Sequence, residues 1–289
     1  MGNVIKKSEV AKLYPRRDPL SHKGQNGRVL IIGGSIDYYG APILAALGAL
    51  HSGCDLVHLL VPECNFEVTR SVSPDFVVHK YSGNYLNGRT LDHIDDILGK
   101  VDCVLIGPGV TEDPEILRTI TRIIQKTACS IVLDAEAIPA IAQLGLAPTD
   151  TRVIPRFLIT PNRAEMNEIL ENSLPKDPEQ EAMIIEDFAK KWNVVVMLKG
   201  HLDIIAASDK PTNMNITGNA GMTVGGSGDV LAGYTASLIA QHADPYDAAL
   251  CAAFVFGENG DHLYAEQGTN FTASELALAL PFTIHRLIG

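Results

Sequence analysis

The sequence predicts an α/β fold in which a central, mostly parallel β-sheet is covered by helices on both faces. Short runs of Val, Ile and Leu recur along the chain, and they are continuous rather than alternating, as in the central strands of parallel sheets. Stretches with helical periodicity separate these runs. No linker, internal repeat or low-complexity tract interrupts the pattern in 289 residues, so we expect one domain spanning residues 1–289.

The individual elements follow from the apolar runs and from the glycines that end them. The predicted strands are residues 29–32, 56–61, 103–106, 131–133, 157–160 and 194–198, with a closing hairpin of 204–207 and 214–217. The predicted helices are residues 42–51, 116–124, 248–257 and 274–280, and the chain is almost entirely helical after Asp229.

Composition and charge limit the class of protein. Apolar residues make up 46% of the chain and charged residues 20%, which is typical of a globular protein with a large core. The net charge of −11 argues against nucleic acid as a partner, although a small nucleotide can still bind a local cradle of N–H groups.

Cysteines, histidines and hydropathy point to a cytoplasmic protein without a structural metal site. The five cysteines are widely spread and include no Cys-x-x-Cys pair, so we expect reduced thiols. The histidines show no zinc-like spacing. No apolar run reaches membrane-spanning length, and we therefore expect no membrane partner.

The most informative segment is the glycine tract Gly225-Gly226-Ser227-Gly228, which leads through Asp229 into a helical stretch. Such a turn aims unpaired N–H groups and the positive end of the helix dipole at one point, which suits a phosphate. A carboxylate there repels phosphate, so Asp229 is better explained as a catalytic base. The alternative is that Asp229 only caps the helix.

Polar or glycine-rich segments also follow several predicted strands. In an open parallel sheet, ligands bind beyond the carboxyl ends of the strands, so these segments together predict one cleft. They are Gly33-Gly34-Ser35, Gly107-Pro108-Gly109, Asp134, Thr160-Pro161-Asn162, Lys199-Gly200 and the tract before Asp229.

Four polar residues of this edge allow two interpretations each. Asn162 and Glu165 have the i, i+3 spacing that could hold a hydrated Mg²⁺ near a phosphate, and the same spacing fits a capping box. Lys199 is expected to emerge at the rim of the cleft, either on a phosphate or in solvent. Asp134 could be a ligand group or a helix cap.

The order of these motifs resembles the ADP/ATP-dependent NAD(P)H-hydrate dehydratases, a carbohydrate-kinase-like family with the ribokinase-like fold. The resemblance covers most of the chain from about residue 20. The matching segments are KGQNGRVLIIGGSIDYYGAPILAALGAL (23–50), LIGPGV (105–110), VLDAEAI (132–138), LITPNRAEM (158–166), VVVMLKG (194–200) and NAGMTVGGSGDVLAGYTASLIAQ (219–241).

The resemblance implies a three-layer α/β/α fold and an enzyme of metabolite repair. Such an enzyme returns hydrated NADH or NADPH to the reduced cofactor with Mg²⁺ and ADP or ATP as co-substrate. The ring hydroxyl is phosphorylated, and phosphate then leaves, pushed out by the adjacent ring nitrogen. The resemblance also implies a homo-oligomer, often a tetramer. It decides neither between ADP and ATP nor between the two hydrates.

Site residues carry over from the resemblance position by position. Asp229 is the expected base and also contacts the hydrated cofactor. The expected nucleotide-binding residues are Lys199, Gly200, His201, Leu202, Asp203, Gly226, Ser227 and Gly228. The expected substrate contacts are Ala41, Gly109 and Asn162. The spacing of Asn162 and Glu165, rather than the resemblance, makes Glu165 the expected Mg²⁺ residue.

The chain departs from the family pattern at three places. Asn162 lies where many members carry His, and Asn-x-x-Glu is closer to the sugar and vitamin kinases. His201-Leu202 replaces the small residues usual after Lys-Gly, which favours backbone contacts there. The epimerase domain that precedes many bacterial members is not found in this sequence, so we expect the dehydratase half of the repair.

Two other functions stay open beside the dehydratase. The Asn-x-x-Glu motif supports an ATP-dependent kinase of the same fold that acts on a sugar or vitamin alcohol. A catalytically silent nucleotide-binding protein is the other alternative, and Asp229 argues against it because a binding protein needs no acid beside a phosphate.

Overall fold

A computed structural model describes residues 3–92, 94–143 and 157–288 of the chain. Its ten strands form one sheet, in the order β1-β10-β9-β8-β7-β6-β5-β2-β3-β4. The strands are β1 (Asn3–Val4), β2 (Arg28–Ile32), β3 (Leu56–Pro62), β4 (Phe76–Tyr81), β5 (Cys103–Ile106), β6 (Ser130–Leu133), β7 (Phe157–Ile159), β8 (Val195–Leu198), β9 (Asp203–Ala207) and β10 (Lys210–Asn215). Strand β9 is antiparallel to β8 and β10, and the other neighbouring pairs are parallel.

Helices cover both faces of the sheet, as the sequence predicts. They are α1 (Lys7–Leu13), α2 (Gly40–Leu50), α3 (Phe66–Val72), α4 (Ile94–Leu98), α5 (Pro114–Lys126), α6 (Ala140–Gln143), α7 (Arg163–Leu170), α8 (Pro178–Trp192), α9 (Ser227–Ala240), α10 (Pro245–Gln267) and α11 (Ala273–Ile288). No helix in the described ranges has both the length and the apolarity needed to cross a membrane.

Two hydrophobic cores lie on opposite sides of the sheet. Alternate residues of a strand enter different cores. Val29 and Ile31 of β2 belong to the core that contains α2, α9 and α10, whereas Leu30 and Ile32 belong to the core that contains α4, α5 and α8. Both faces of the central strands are therefore buried, which explains why the apolar runs are continuous. The three-layer α/β/α architecture is confirmed.

Helices α2 and α9 approach each other unusually closely, and this contact positions the glycine tract. A Cβ added to Gly233 would lie 1.8 Å from the carbonyl oxygen of Ala45, so only glycine allows the two backbones to meet there. At the start of α9, a Cβ on Gly226 would lie 2.3 Å from Cδ1 of Leu44. The beginning of α9 is thus held against α2.

The predicted hairpin is present, but its second strand begins and ends earlier in the chain than the predicted residues 214–217. Strand β10 begins at Lys210 and ends at Asn215, so Thr217 lies outside it. The first residues of β10 are polar and exposed, which hides the strand from a search for apolar runs. Lys210 pairs with Ala207 of β9 at the start of the strand, and Asn213 and Met214 in its buried half pair with both β9 and β1.

Candidate active site

The carboxyl edge of the sheet collects the segments that the sequence predicts for a cleft. Gly33, Gly107, Asp134, Thr160 and Lys199 each follow directly on the last residue of a strand. These strands are mutually parallel, so the five residues lie along the same edge. The glycine tract joins them from the other side, because a Cβ added to Gly228 would lie 3.3 Å from Nζ of Lys199.

The glycine tract begins α9 without a side-chain cap. Gly226 is the N-cap residue in the left-handed conformation, with φ of 92°, and no side chain accepts a hydrogen bond from the first turn. The N–H of Ser227 donates to the carbonyl oxygen of Val224 over 3.3 Å. The N–H groups of Gly228 and Asp229 follow it in the first turn, where a helix supplies no internal partner, so they remain donors for a ligand. Asp229 lies in the first turn, beyond the cap position, and the interpretation of Asp229 as the helix cap is wrong.

Two glycines of this tract are not required by the fold. A Cβ on Gly225 would meet no atom within 4 Å, and one on Gly228 would meet only the flexible end of Lys199. Neither residue has a positive φ. Because neither backbone strain nor packing explains these glycines, their missing side chains leave space for a ligand that approaches the backbone.

The Asp229 carboxyl is tuned toward proton transfer near neutral pH. Burial and, to a smaller extent, the neighbouring carboxylate of Asp134 raise its pKa, the Lys199 ammonium opposes the increase, and the resulting pKa is about 7. A base with a pKa near the working pH is effective in general acid–base catalysis. Asp229 therefore has the electrostatics of a catalytic base.

Lys199 is inside the site rather than at its rim. Its side chain is only 18% exposed, and Nζ donates to Oδ1 of Asp134 over 2.8 Å. Burial disfavours the charged form, but the carboxylates of Asp134 and Glu165 outweigh it, and the pKa of Lys199 rises. The interpretation as a surface lysine in solvent is wrong.

Asp134 forms an ion pair with Lys199 and is not a helix cap. Its carboxylate makes no capping hydrogen bond to the short helical turn that it precedes. Instead, Oδ1 also accepts a hydrogen bond from Oγ1 of Thr160 over 2.7 Å. No local pattern predicts the contact between Asp134 and Lys199, which spans 65 positions of the chain. Thr160 is fully buried behind Asp134 and does not line the cavity beside the glycine tract.

Asn162 and Glu165 form the capping box that was one of their two interpretations. Oδ1 of Asn162 accepts from the N–H groups of Ala164 and Glu165, and the Glu165 carboxylate accepts from the Asn162 backbone and side-chain amide. The Asn162 backbone also bridges to that of Lys199. Burial raises the pKa of Glu165.

A cavity of about 420 Å³ opens beside the glycine tract and has the size of a small-molecule site. Six of the residues expected to bind nucleotide line it: Lys199, Gly200, His201, Asp203, Ser227 and Gly228. Leu202 and Gly226 do not line the cavity. The cavity is also lined by Thr217, Met222 and Phe256, for which the sequence predicted no role. Met222 belongs to the last matching segment.

The loops around this cavity are fixed by two half-buried carboxylates. Asp203 accepts hydrogen bonds from the backbone N–H of Gly200 and from Nδ2 of Asn215, which shapes the turn after Lys199. Asp261 accepts from the backbone N–H of Gly218 and from Nδ2 of Asn219. The carboxylate of Asp203 therefore orders the loop in which Gly200 and His201 line the cavity.

Ala41 and Gly109, the expected substrate contacts, are neighbours. A Cβ on Gly109 would lie 3.0 Å from Cβ of Ala41 and 2.6 Å from the carbonyl oxygen of Tyr38. Gly109 has φ of 70°. Leu44, which contacts Gly226, is one helical turn after Ala41. These contacts place the two residues at the same end of α2 as the glycine tract.

A second cavity of about 410 Å³ lies on the far side of the capping box. Glu136 and Glu165 line it together with Glu112 and Glu168. With Asp134 and Asp229, the site region therefore contains more carboxylates than cations. Within the described ranges, no three His, Cys, Asp or Glu side chains are grouped so that they could hold a metal ion by themselves.

Comparisons with known proteins agree with this geometry. The profile of the NAD(P)H-hydrate dehydratase family matches residues 29–281. A bifunctional NAD(P)H-hydrate repair enzyme of Methanothermobacter thermautotrophicus is 37% identical over 272 residues, which are 92% of this chain and 51% of the relative. The chain spans about half the length of that enzyme and of similar bifunctional relatives.

Two further proteins match over nearly their whole length. An ADP-dependent (S)-NAD(P)H-hydrate dehydratase of Cenarchaeum symbiosum is 33% identical over 282 residues, which are 97% of this chain and 96% of the relative. The structure of an ADP/ATP-dependent NAD(P)H-hydrate dehydratase of Bacillus subtilis, co-crystallized with ATP and Mg²⁺, has a TM-score of 0.83 and 25% identity. It covers 99% of both chains, and the predicted ribokinase-like fold is confirmed.

Proposed function

This chain belongs to the NAD(P)H-hydrate dehydratase family, and we propose that it dehydrates the hydrated (6S) form of NADH or NADPH with an adenine nucleotide as phosphoryl donor. The observation that carries this proposal is the Asp229 carboxyl. It is a half-buried acid with a pKa of about 7, placed beside an uncapped helix start that can bind phosphate. A protein that only bound nucleotide would gain nothing from this acid.

The reaction proceeds in two steps that both use this geometry. Asp229 takes the proton of the ring hydroxyl while the hydroxyl oxygen attacks the terminal phosphorus of the nucleotide, which releases the shortened nucleotide. The carbon–oxygen bond then breaks with its electron pair on phosphate, as the lone pair of the adjacent ring nitrogen forms a double bond to carbon. Loss of a proton from the next carbon completes the reduced ring. Phosphate leaves at neutral pH, whereas hydroxide does not.

The nucleotide is held by the cavity beside the glycine tract. The backbone N–H of Gly228 faces its phosphates, whereas that of Ser227 donates to the carbonyl oxygen of Val224. Lys199 supplies a cation with two N–H donors beyond the one given to Asp134. Gly200 and His201 contact the adenylate part through their backbone. Stabilisation of phosphate charge in a fixed geometry supplies most of the rate in phosphoryl transfer.

The hydrated ring is held from the opposite side. Ala41 and Gly109 are small and adjacent, so a flat ring can approach their backbones. Asn162 contributes its side chain at the edge of the sheet, although its Oδ1 and Nδ2 are already used in the capping box. We therefore assign the substrate contact of Asn162 to the remaining hydrogen-bonding capacity of its amide.

Mg²⁺ is expected to enter with the nucleotide. The ion binds phosphate oxygens and keeps several waters, so one or two carboxylates suffice on the protein side. Both oxygens of Glu165 accept hydrogen bonds from Asn162, which suits a contact to the ion through its hydration water. When bound, the ion neutralises phosphate charge near the acidic groups of the site.

The cellular context is also proposed from the family and the composition. We expect a cytoplasmic homo-oligomer, a tetramer in the commonest family arrangement, which does not bind nucleic acid. Light scattering on the purified chain measures the oligomeric number.

An assay of hydrated NADH tests the function. Purified protein, Mg²⁺ and either ADP or ATP are incubated with hydrated NADH or hydrated NADPH, and the absorbance band of the reduced nicotinamide is followed together with free phosphate. A dehydratase restores the band and releases one phosphate for each ring.

The kinase alternative rests on the Asn-x-x-Glu motif, whose two residues also form a capping box, so the motif by itself does not favour a kinase. A kinase would leave a stable phosphate ester on a sugar or vitamin alcohol and release no free phosphate. Nucleotide binding without turnover on any of these substrates would identify a silent binding protein.

A further inference from the structure

Asp134 is the most deeply buried carboxylate at the carboxyl edge of the sheet. It is 3% exposed and lies between the end of β6 and the cleft. Oδ1 accepts two hydrogen bonds, one from Lys199 Nζ over 2.8 Å and one from Thr160 Oγ1 over 2.7 Å. Thr160 is fully buried, and its hydroxyl holds the Asp134 carboxylate in place from the protein interior. The carboxylate cannot rotate away from Lys199 without losing both partners.

Lys199 is in turn fixed at both ends. Its backbone N–H donates to the carbonyl oxygen of Pro161 over 2.8 Å, and its ammonium lies between Asp134 and the Gly228 turn. A lysine side chain is flexible and makes a strongly hydrated point charge. A buried partner of opposite charge is therefore the simplest way to keep this ammonium at one place beside the start of α9.

The same carboxylate acts on Asp229 through space. The charged groups that face Asp229 are Asp134 after β6, Glu136 in the next turn, Glu165 on α7 and Lys199 after β8. Three of these four carry negative charge. Lys199 is the only cation among them, and Asp134 neutralises it.

We propose that Asp134 is a positioning residue of the dehydratase site, which holds the Lys199 ammonium against the Gly228 turn and limits how strongly that ammonium attracts phosphate and Asp229. The expected effect on the pH dependence of turnover rests on the proposed function. The expected effect on ADP affinity concerns nucleotide binding alone. Asp134 itself does not touch the reacting atoms.

Replacement of Asp134 by Asn keeps the shape and an oxygen acceptor for Lys199 and Thr160, but removes the negative charge. The positive charge of Lys199 is then no longer neutralised by Asp134 and attracts phosphates at the Gly228 turn more strongly. ADP therefore binds more tightly, by roughly threefold to tenfold for a partly screened charge pair. Loss of a nearby negative charge also lowers the pKa of Asp229.

The sign of the pH effect follows from the role of Asp229. A catalytic base works when it is deprotonated, so kcat/KM of the wild type rises with pH through about 7. In Asp134→Asn the acidic limb of the kcat/KM profile moves to lower pH, by roughly 0.5–1 unit. A purely structural role of Asp134 would change the amount of folded enzyme at all pH values and would leave the position of this limb unchanged.

Thr160→Val is the matched control. It removes the hydroxyl donor to Asp134 at nearly the same volume and keeps the charges of Asp134 and Lys199. We expect a lower thermal midpoint in this variant, with the acidic limb and the ADP dissociation constant within about twofold of the wild type.

Calorimetric titration with ADP and Mg²⁺ measures the binding part in the wild type, Asp134→Asn and Thr160→Val. Tighter ADP binding only in Asp134→Asn supports the proposal even if hydrated NADH is not turned over, so it stands apart from a failure of the proposed function. Unchanged or weaker binding in Asp134→Asn would overturn it. So would a change confined to the Mg²⁺ requirement, which would place Asp134 on the ion.

The smaller neutral variant Asp134→Ser is made in parallel. If Asp134→Asn fails to fold, the same two shifts are expected in Asp134→Ser. If neither neutral variant folds, Asp134 is needed for the fold itself and the proposal is wrong.

Discussion

The turns 107–109 and 225–228 are both rich in glycine and both lie at the carboxyl edge, but their surroundings differ. A Cβ on Gly107 would lie 1.8 Å from the carbonyl oxygen of Asp134, and its φ is 133°. A Cβ on Gly225 would meet nothing, and one on Gly228 would meet only a movable ammonium. The first turn uses glycine to pack one backbone against another. The second uses Gly225 and Gly228 to leave room beside a helix start, while its Gly226 packs against Leu44.

This difference shows that a glycine-rich turn is not by itself a binding motif. Gly33 belongs with Gly107, since its Cβ would lie 2.2 Å from the carbonyl oxygen of Pro108. The segments that look most alike in the sequence therefore divide into a structural group and a ligand-facing group. Substitutions by alanine separate the two groups, because stability and nucleotide affinity respond independently.

Gly107→Ala is expected to have the largest effect of these substitutions on stability. The added methyl group forces the turn away from Asp134, and alanine is strained at this φ, so the free energy of unfolding falls by roughly 3–5 kcal/mol. Urea unfolding measures the change. The matched control is Gly88→Ala, because Gly88 is exposed and a Cβ there meets no atom within 4 Å. Equal midpoints for the two variants would contradict the structural role of Gly107.

Gly228→Ala is expected to lower nucleotide affinity and to leave stability nearly unchanged. Alanine is favoured over glycine inside a helix by roughly 0.5–1 kcal/mol, and Lys199 Nζ can move by a few tenths of an ångström, so stability is unchanged or slightly higher. The new methyl group takes the space proposed for phosphate, and the dissociation constant for ADP rises on the order of tenfold. Calorimetry measures the affinity, again beside Gly88→Ala. Wild-type affinity in Gly228→Ala would remove this turn from the ligand-facing group.

Glu165→Gln is expected to have the smallest effect. Glutamine can replace glutamate in a capping box, so the unfolding midpoint changes little. If Glu165 reaches Mg²⁺ through water, the Mg²⁺ concentration for half-maximal turnover rises a fewfold, on the order expected for one lost charged hydrogen bond. A titration of activity with Mg²⁺ measures this. An unchanged metal dependence returns Glu165 to a capping role alone.

Much of the central sheet could be predicted from the sequence. The strand Cys103–Ile106 has the predicted bounds because all four residues are buried, so its apolar run is complete. Strand β4 was not found, since His79 and Lys80 interrupt its apolar pattern at the edge of the sheet. The ends of α2 and α5 differ from the predicted ones by one or two positions, whereas α10 and α11 continue ten and eight residues beyond their predicted ends. Periodicity marks the buried face of a helix and not its last hydrogen bond.

The sequence predicted which residues form the site better than it predicted the contacts between them. The glycine tract, Asp229 and Lys199 could be selected from local patterns, because a glycine turn before a helix and a polar residue after a strand are local signals. The pairing of Lys199 with Asp134 joins residues from different strands, so no local pattern contains it. Whether a glycine packs against backbone or faces a ligand also depends on distant residues, as Gly107 and Gly225 show.

Asp229→Asn provides the most direct test of the central claim, that a base lies beside a nucleotide-binding turn. Turnover of hydrated NADH and calorimetric affinity for ADP are measured on one preparation of this variant. Asparagine keeps the size of the side chain but cannot take the hydroxyl proton, so turnover falls about 10²–10⁴-fold. ADP affinity is retained or slightly improved, because a negative charge near phosphate is gone. Near-normal turnover would contradict the catalytic role, and loss of both turnover and ADP binding would show that the residue supports the structure of the turn.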